Sequence, residues 1–235
     1  MSQQNQKISG TNGTKIFCVI PTYNEAKTIN QVIASVKPLV DQVIVVDDGS
    51  TDNSYNLAER NNVIVLRHLI NRGQGAALKT GTKYAINAGA EIIIHFDADG
   101  QFLAQDIKAI LQPIINNQAE IVFGSRFLDK TNRSTIPGIK KYLIIPLAKL
   151  VNKLFLGVDL TDPQSGFRAM TGVAAKQINW QQDRMAHCSE ILQQAKLKKL
   201  KIKEVPINII YNNFGQRFSD GLKILFDLFL AKFIN

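Results

Sequence analysis

Two aspartates separated by one residue, Asp97 and Asp99, follow directly after the apolar run Glu91–Phe96. Side chains alternate along an extended chain, so both carboxylates, with Gln101 two residues further on, can direct oxygens toward one cation. Mg²⁺ and Mn²⁺ prefer oxygen ligands and are often shared with substrate phosphates. The pattern is typical of a metal site that stabilises a departing diphosphate as a Lewis acid. An isolated Asp-Ala-Asp is more often a surface turn with a helix cap, so its surroundings decide its meaning.

Four further polar clusters each follow an apolar run. They are Pro21–Glu25 (PTYNE), Asp47–Asp52 (DDGSTD), Asn71–Gly75 (NRGQG) and Gly124–Phe127 (GSRF). In DDGSTD a carboxylate, with Asp48 favoured over Asp47, can accept hydrogen bonds from a nucleobase or ribose; the alternative is a turn followed by a helix cap at Asp52. PTYNE suits a nucleoside, unless Asn24 only caps the next helix. NRGQG places backbone N–H groups at a helix start, where anions are favoured.

Three arginines, Arg126, Arg168 and Arg217, lie in polar segments that contain glycine, where a guanidinium can bind phosphate oxygens bidentately. A single arginine is more often a solvated surface charge. Three in loops predicted to border one cleft make phosphate binding the hypothesis to test. The histidines show no metal-ligand spacing, and His95, inside an apolar run, is expected to be a hydrogen-bonded core residue.

Apolar runs rich in Val and Ile alternate with helix-like stretches through the first half of the chain, the pattern of βαβ units on a parallel sheet. The predicted strands are Ile16–Ile20, Gln42–Val46, Val63–Leu66, Glu91–Phe96 and Glu120–Phe123, and the predicted helices are Ala26–Val36, Asp52–Asn61, Gln74–Ala88 and Leu103–Ile115. In such a sheet the loops after the strands converge on the ligand crevice. All five polar clusters are therefore expected at one edge, which favours the metal-site interpretation of Asp97 and Asp99.

The second half of the chain is less regular and is predicted to form the acceptor side. Its predicted segments are a helix over Lys140–Leu156, a polar turn Thr161–Arg168 (TDPQSGFR), a helix over Cys188–Leu197, an extended run Lys201–Tyr211, a basic loop Asn212–Ser219 and an amphipathic stretch Gly221–Ile234. One helical face of the last stretch carries Leu222, Leu225, Phe226, Phe229 and Phe233. Such a face suits a membrane interface or packing on the domain.

Composition narrows the classes of protein. The chain has 235 residues and a formal net charge of +9, a length that suits one α/β domain and a charge that favours nucleic acid, a phosphate-bearing substrate or acidic lipid as partner. No apolar run approaches the roughly 20 residues of a membrane-spanning helix. Two distant cysteines and no apolar secretory signal predict a cytoplasmic location. Residues 1–13 are predicted to be a flexible tail, 14–220 a catalytic domain and 221–235 an amphipathic helix.

The motifs PTYNE, VVDDGSTD, NRGQGAALKTG, FDADGQ, GSRF and TDPQSGFRAMT, in this order and spacing, resemble family 2 glycosyltransferases of the dolichyl- or polyprenyl-phosphate sugar synthase group, over roughly residues 15–215. The resemblance implies a GT-A fold, which is a Rossmann-like nucleotide-diphospho-sugar transferase fold with a mostly parallel sheet flanked by helices. It also implies inverting transfer of a hexose from a GDP- or UDP-sugar to a lipid phosphate, with Mg²⁺ or Mn²⁺. Together with the amphipathic stretch Gly221–Ile234, such an acceptor predicts peripheral association with the cytoplasmic face of a membrane.

The resemblance also assigns residues. The donor would be held by Pro21, Tyr23, Glu25, Asp47, Asp48, Asp97, Ala98 and Asp99, the metal by Asp97, Asp99 and Gln101, and the phosphates or acceptor by Arg126, Ser165, Arg168 and Arg217; Asp162, Arg126 and Arg168 would lie at the reacting centre. A lipid phosphate is already ionised, so positioning and charge neutralisation would supply the rate. The last loop, GQRFS, departs from the Gly-x-Ser-Lys of many relatives, which leaves the acceptor open.

Three alternatives remain open from the sequence. The first is a transferase of the same fold with a soluble or glycan acceptor. The second is a sugar-phosphate nucleotidyltransferase, which usually carries a basic glycine-rich loop where this chain has PTYNE. The third is a nucleic-acid binder, which is disfavoured because the basic residues are spread along the chain and the predicted cleft carries carboxylates. The residues do not indicate the sugar, the base or the oligomeric state.

Overall fold

The computed structural model describes residues 13–128 and 160–210, which form a seven-stranded sheet with helices on both faces. The strands are β1 Ile16–Thr22, β2 Gln42–Asp47, β3 Ile64–Arg67, β4 Ile92–His95, β5 Ile121–Ser125, β6 Arg168–Thr171 and β7 Ile202–Pro206. The helices are α1 Ile29–Val36, α2 Ser54–Glu59, α3 Gln74–Asn87, α4 Ile107–Ile115, α5 Gly172–Gln177 and α6 His187–Leu197, with 3₁₀ turns at Lys37–Leu39 and Ala104–Asp106.

The strands lie in the order β3-β2-β1-β4-β6-β5-β7. Parallel pairs join β1 to β2 and β4, β2 to β3, and β5 to β7, whereas β6 lies antiparallel between β4 and β5. The prediction of a mostly parallel α/β sheet is confirmed. Because β6 runs against its neighbours, its first residue, Arg168, lies beside His95 at the edge where β4 ends. The turn before β6 is thereby brought to the same edge as the loops that follow the parallel strands.

The core lies in two apolar layers, one on each face of the sheet. One layer includes Ile20, Ile94, Ile33 and Ile110, and the other includes Val19, Ile93, Leu78 and Ile191. All seven residues of β1 are buried, as expected for a central parallel strand covered on both faces. On α3, a side chain at Gly81 would collide with Val19, so glycine there lets the helix pack closely on the sheet.

The structure departs from the sequence prediction mainly in the second half. Strand β6 and helix α5 were not predicted, since RAMT is short and its strand character comes from pairing with β4 and β5 on either side. The helix expected from Ala26 begins at Ile29. The predictions for residues 1–12, 140–156 and 212–234, including Arg217, lie outside the described residues. Within residues 13–128 and 160–210, each helix is too short or too polar to span a bilayer.

Candidate active site

The loops after β1 and β2 are bound to each other. Asn24, with a positive φ of 56°, accepts hydrogen bonds from the N–H groups of Thr51 at 2.8 Å and Asp52 at 3.3 Å. In return, the N–H groups of Asn24 and Glu25 donate to the hydroxyls of Ser50 at 3.0 Å and Ser54 at 2.7 Å. Asn24 therefore joins two site loops. The alternative that it only caps the following helix is wrong, because α1 begins at Ile29 with Thr28 at the N-cap position.

Asp48 is saturated by donors of the protein itself. Its Oδ1 lies 2.6 Å from His68 Nδ1, and its two oxygens accept from the backbone N–H groups of Arg72 at 3.1 Å and Gly73 at 2.6 Å. The Asp48 side chain is only 3% exposed. The anion at the NRGQG helix start is thus the Asp48 carboxylate, and Asp48 holds residues 68–73 against the end of β2.

Asp47 differs from its neighbour in having an acceptor to spare. Its Oδ2 lies 3.3 Å from the Ser50 N–H and 3.3 Å from Arg67 Nε. Its Oδ1 is buried and has no hydrogen-bond partner among the described residues. A buried acceptor of this kind carries a desolvation cost until a donor reaches it. Of the two adjacent aspartates, Asp47 therefore has the free acceptor that the sequence interpretation assigned to Asp48.

Asp97 and Asp99 lie at the tip of β4, as predicted. Asp97 Oδ1 accepts from Gln74 Nε2 at 2.7 Å, and Asp99 Oδ1 accepts from the N–H of Gln101 at 2.9 Å. Burial, and second the charge of Asp99, raises the pKa of Asp97 to about 7. Burial also raises the pKa values of Asp99 and of Glu25, and the charge of Asp99 adds to the rise at Glu25. These acidic groups repel one another, which a cation would relieve.

Three aromatic rings, those of Phe96, Phe102 and Phe167, pack together next to the tip of β4. The Phe96 ring lies edge-on to Phe102 with centroids 5.8 Å apart, and edge-on to Phe167 at 5.0 Å. Edge-to-face packing of this kind is favourable beyond the area that it buries. The cluster joins the DADGQF segment to the QSGF segment before β6, so the two loops are fixed relative to each other.

Asp162 and Arg126 form a bidentate ion pair. Arg126 Nε and Nη2 donate to Asp162 at 2.6 and 2.8 Å, and the Arg126 backbone N–H donates at 3.2 Å. The Asp162 side chain is 2% exposed and that of Arg126 is 30% exposed. Glu204 accepts from the N–H groups of Thr161 at 2.8 Å and Asp162 at 2.9 Å, and so orders the turn that carries Asp162. Asp162 therefore holds the Arg126 guanidinium in place at the edge of the site.

Arg168 and Ser165, both predicted to contact phosphate, are buried behind the tip of β4. Arg168 Nη2 donates to His187 Nε2 at 3.1 Å, whereas Arg168 Nε and Nη1 find no partner in the described part of the chain. The Arg168 charge lies close enough to Asp97 to lower its pKa, against the larger effect of burial. Burial, and second the Arg168 charge, lowers the pKa of His187 to about 4.

Four side chains at this edge were not singled out from the sequence as site residues: Gln74, His68, His187 and Glu204. Gln74 lies inside the NRGQG cluster, so its position at a helix start next to the site was a usable signal. The other three carry no local signal, because each acts on a residue that only the fold brings near.

The profile of the family described as "Glycosyl transferase family 2" matches residues 17–178. The chain belongs to glycosyltransferase family 2. UDP-N-acetylglucosamine–dolichyl-phosphate N-acetylglucosaminyltransferase from Methanococcus voltae is 37% identical to it over 92% of this chain and 96% of the relative. Undecaprenyl-phosphate mannosyltransferase from Micrococcus luteus is 26% identical over 88% of each chain. This protein is therefore a glycosyltransferase, as its motifs implied.

Solved structures confirm the GT-A fold of this glycosyltransferase. Glucosyl-3-phosphoglycerate synthase from Mycobacterium tuberculosis, in complex with Mn²⁺, UDP and phosphoglyceric acid, superposes with a TM-score of 0.67 at 20% identity, covering 92% of this chain and 76% of that chain. The same enzyme was also crystallised with Mg²⁺ and UDP. At this identity the likeness supports the fold alone.

The acidic tip of β4 in the glycosyltransferase fits a hard divalent cation. In the described part of the chain, no group of three or more His, Cys, Asp or Glu side chains is arranged to enclose a metal by itself. Mg²⁺ is commonly bound by one or two carboxylates, with water and substrate phosphates as its other ligands. Asp97 and Asp99 offer carboxylate oxygens as ligands, and their mutual repulsion would be relieved by a cation, so both features match that mode of binding.

Proposed function

We propose that this glycosyltransferase moves a hexose, with inversion, from a GDP- or UDP-sugar to a polyprenyl or dolichyl phosphate. The observation that carries the proposal is the pair Asp97 and Asp99, two half-buried carboxylates with raised pKa values at the edge where the site loops meet. The acceptor class is supported by two relatives, which are named for transfer to dolichyl phosphate and undecaprenyl phosphate.

The donor would be held by the loops after β1 and β2. Asp47 has a buried oxygen in need of a donor, which a nucleobase N–H or a ribose hydroxyl can supply. Tyr23 is 45% exposed and can stack on a base. Glu25 would contribute a second acceptor, with Pro21 and the buried Ala98 contributing shape. Asp48 would act indirectly, because its oxygens already hold residues 68–73.

The diphosphate would lie between the tip of β4 and Arg126. Asp97, Asp99 and Gln101 would hold Mg²⁺ or Mn²⁺, which supplies Lewis-acid neutralisation of the departing diphosphate. Arg126 would add a fixed positive charge, because Asp162 holds its guanidinium in place and its charge already acts on Asp99. In this arrangement Asp162 orients Arg126 and does not need to accept a proton, since a lipid phosphate acceptor is already ionised.

Ser165 and Arg168 would support the phosphate site from behind. Direct phosphate binding by Arg168 requires an oxygen to reach its Nε or Nη1, and both atoms are buried. The Arg168 charge would also favour the ionised form of Asp97, which a cation ligand requires.

We further propose peripheral association with the cytoplasmic face of a membrane. Leu69 and Ile70 follow β3 at the edge of the site and are 99% and 70% exposed. Exposed large apolar side chains are suited to enter the interfacial region of a bilayer, and a formal charge of +9 favours acidic lipid. Cys18 and Cys188 are both free thiols, in keeping with a reducing compartment. The amphipathic stretch at 221–235 would add to this association.

The proposal is tested by incubating the purified protein with UDP- and GDP-sugars, Mn²⁺ and a polyprenyl phosphate. The expected product is a lipid-linked hexose whose anomeric configuration is opposite to that of the donor, as followed by NMR. Transfer that proceeds equally well to a soluble glycan without lipid would support the alternative acceptor class. Absence of transfer from every common donor would contradict the proposal as a whole.

A further inference from the structure

Gln74 links the helix start of α3 to the acidic tip of β4. It is the first residue of α3, and its Nε2 donates to Asp97 Oδ1 over 2.7 Å. The donor is a neutral amide, and Gln74 and Asp97 are 23 positions apart in the sequence. An amide donor fixes the direction of a carboxylate without neutralising its charge. Asp97 is thereby oriented and still available to a cation.

Gly166 also limits the position of the Asp97 carboxylate. A β-carbon at Gly166 would collide with Asp97 Oδ2 and would lie 2.9 Å from Oδ1. The carboxylate therefore rests against the bare Cα of Gly166, and this placement depends on residue 166 having no side chain. Gln74 and Gly166 together restrict Asp97 from two directions.

The helix start that carries Gln74 is itself held in place. Side chains at Gly73 or Gly75 would collide with the backbone oxygens of Asp183 and Gln182, so the segment 180–183 packs directly on this turn. Trp180 Nε1 donates to the carbonyl of Gly75 at 2.9 Å, and the N–H of Ala76 donates to the carbonyl of Asp183 at 3.1 Å. Fixing the backbone around residue 74 fixes the reach of its side chain.

We propose that Gln74 is a positioning residue of the cation site: it holds Asp97 over Gly166 in the orientation in which Asp97 binds a divalent cation together with the nucleoside diphosphate. The inference rests on the proposed function, because it takes Asp97 to be a cation ligand. Groups that orient a metal ligand through hydrogen bonds typically change metal affinity or activity by about 10–100-fold when removed. The effect is expected on cation affinity, with little change in fold.

The test compares Gln74→Met with Gln112→Met. Methionine keeps the length and the helix propensity of glutamine but has no amide. Gln112 lies in α4, where its amide donates to Asn116 on the exposed surface, so it controls for the substitution itself. Mn²⁺ binding is followed by the EPR signal of the free ion during titration in the presence of UDP or GDP. Gln74→Met should weaken Mn²⁺ binding about tenfold or more, and Gln112→Met should leave it unchanged.

Gly166→Ala provides a second route to the same result. Its backbone φ lies outside the left-handed range, and the three atoms nearest to an added β-carbon all belong to Asp97. It should also weaken Mn²⁺ binding, with the thermal midpoint of each variant measured in parallel.

The outcomes separate the inference from the proposed function. Wild-type Mn²⁺ affinity in Gln74→Met, alongside its loss in Asp99→Asn, would overturn the role of Gln74 and leave the proposed function standing. Wild-type Mn²⁺ affinity in Gly166→Ala would overturn the placement of Asp97 over Gly166. Absence of Mn²⁺ uptake by the unmodified protein with either nucleotide would instead overturn the proposed function. Weak Mn²⁺ binding in a Gln74→Met protein that melts at the wild-type temperature supports the positioning role.

Discussion

Acidic side chains at the same edge of the sheet are treated in two different ways by this fold. Asp48 and Asp162 are each bound by several donors of the protein, among them His68 for Asp48 and the whole fork of Arg126 for Asp162. The hydrogen bonds that Asp97 and Asp99 receive in the described structure come from neutral groups, and burial raises the pKa values of both.

The difference separates carboxylates that build the site from carboxylates that can bind a ligand. A saturated carboxylate has its charge and its lone pairs already used, so it holds loops in position. A partly buried carboxylate with few donors is unstable as an isolated charge and gains most from a cation. All of these residues are aspartates in polar loops after strands, so residue type alone does not distinguish the two groups.

The largest effect is expected from removing one of the unsaturated carboxylates. Asp99→Asn should lower cation-dependent transfer by more than about 100-fold, because a metal acting as a Lewis acid contributes several kcal/mol to the transition state. The fold should be retained, since the asparagine removes a charge that burial penalises. Initial rates with Mn²⁺ and the thermal midpoint give the two readouts. Full activity of the variant would remove Asp99 from the metal site.

His187, which is buried near Asp97, should make the free energy of unfolding decrease at acidic pH. Its pKa is about 4 in the folded protein, below the ordinary value of 6.5, so the folded state binds fewer protons than the unfolded state between these values. Stability therefore falls as the pH drops from about 6.5 toward 4, by up to about 3 kcal/mol for this group. Below pH 4 the contribution is fully lost.

His187→Asn is the variant that isolates this effect. Asparagine can still donate to the Arg184 carbonyl, which His187 Nδ1 contacts at 2.7 Å, but it does not titrate. Urea unfolding at several pH values should give a shallower loss of stability for the variant than for the wild type. The raised pKa of Asp97 acts in the opposite sense in both proteins. The His187 charge lowers the pKa of Asp97, so its removal raises that pKa further and adds to the shallower loss expected for the variant. Parallel pH profiles would contradict the assignment.

A saturated carboxylate should behave differently when it is changed. Asp48→Asn leaves the N–H groups of Arg72 and Gly73 with a weaker acceptor and His68 without a carboxylate, and we expect a loss of about 1–3 kcal/mol in the free energy of unfolding. Cation affinity should change less than in Asp99→Asn. A stable Asp48→Asn protein with selectively lost Mn²⁺ binding would remove the distinction between the two groups of aspartates.

The sequence predicts where the site lies better than it predicts which of its carboxylates hold loops and which can bind a ligand. Strand positions and the edge where the loops meet follow from local apolar runs, so Asp97 and Asp99 were placed correctly at the tip of β4. The donors that distinguish Asp48 from Asp47 lie 20 to 25 positions away, and Glu204 reaches Asp162 across 42. Strand β6 likewise depends on both its neighbours. Such long-range pairings leave no periodic signal in the chain.

The smallest effect is expected from changing Leu69 and Ile70 at the edge of the site. Asp48 fixes this segment, because it binds His68 on one side of the two residues and the Arg72 N–H on the other. The Leu69→Ser, Ile70→Ser double variant should bind vesicles that contain acidic lipid roughly tenfold more weakly. The reason is that serine gains far less free energy than leucine or isoleucine on transfer from water to the bilayer interface. Both side chains are exposed, so the thermal midpoint should stay unchanged.

Vesicle flotation should be paired with transfer to a short, water-soluble prenyl phosphate, which the double variant should use at the wild-type rate. The control, Val173→Ser, removes an exposed apolar side chain at the start of α5, at the end of β6 opposite to the site. Equal vesicle binding of the wild type, the double variant and Val173→Ser would show that Leu69 and Ile70 do not contact the membrane. Loss of transfer to the soluble acceptor would instead place this segment in donor binding, since the Ile70 backbone adjoins Gly49 in the loop after β2.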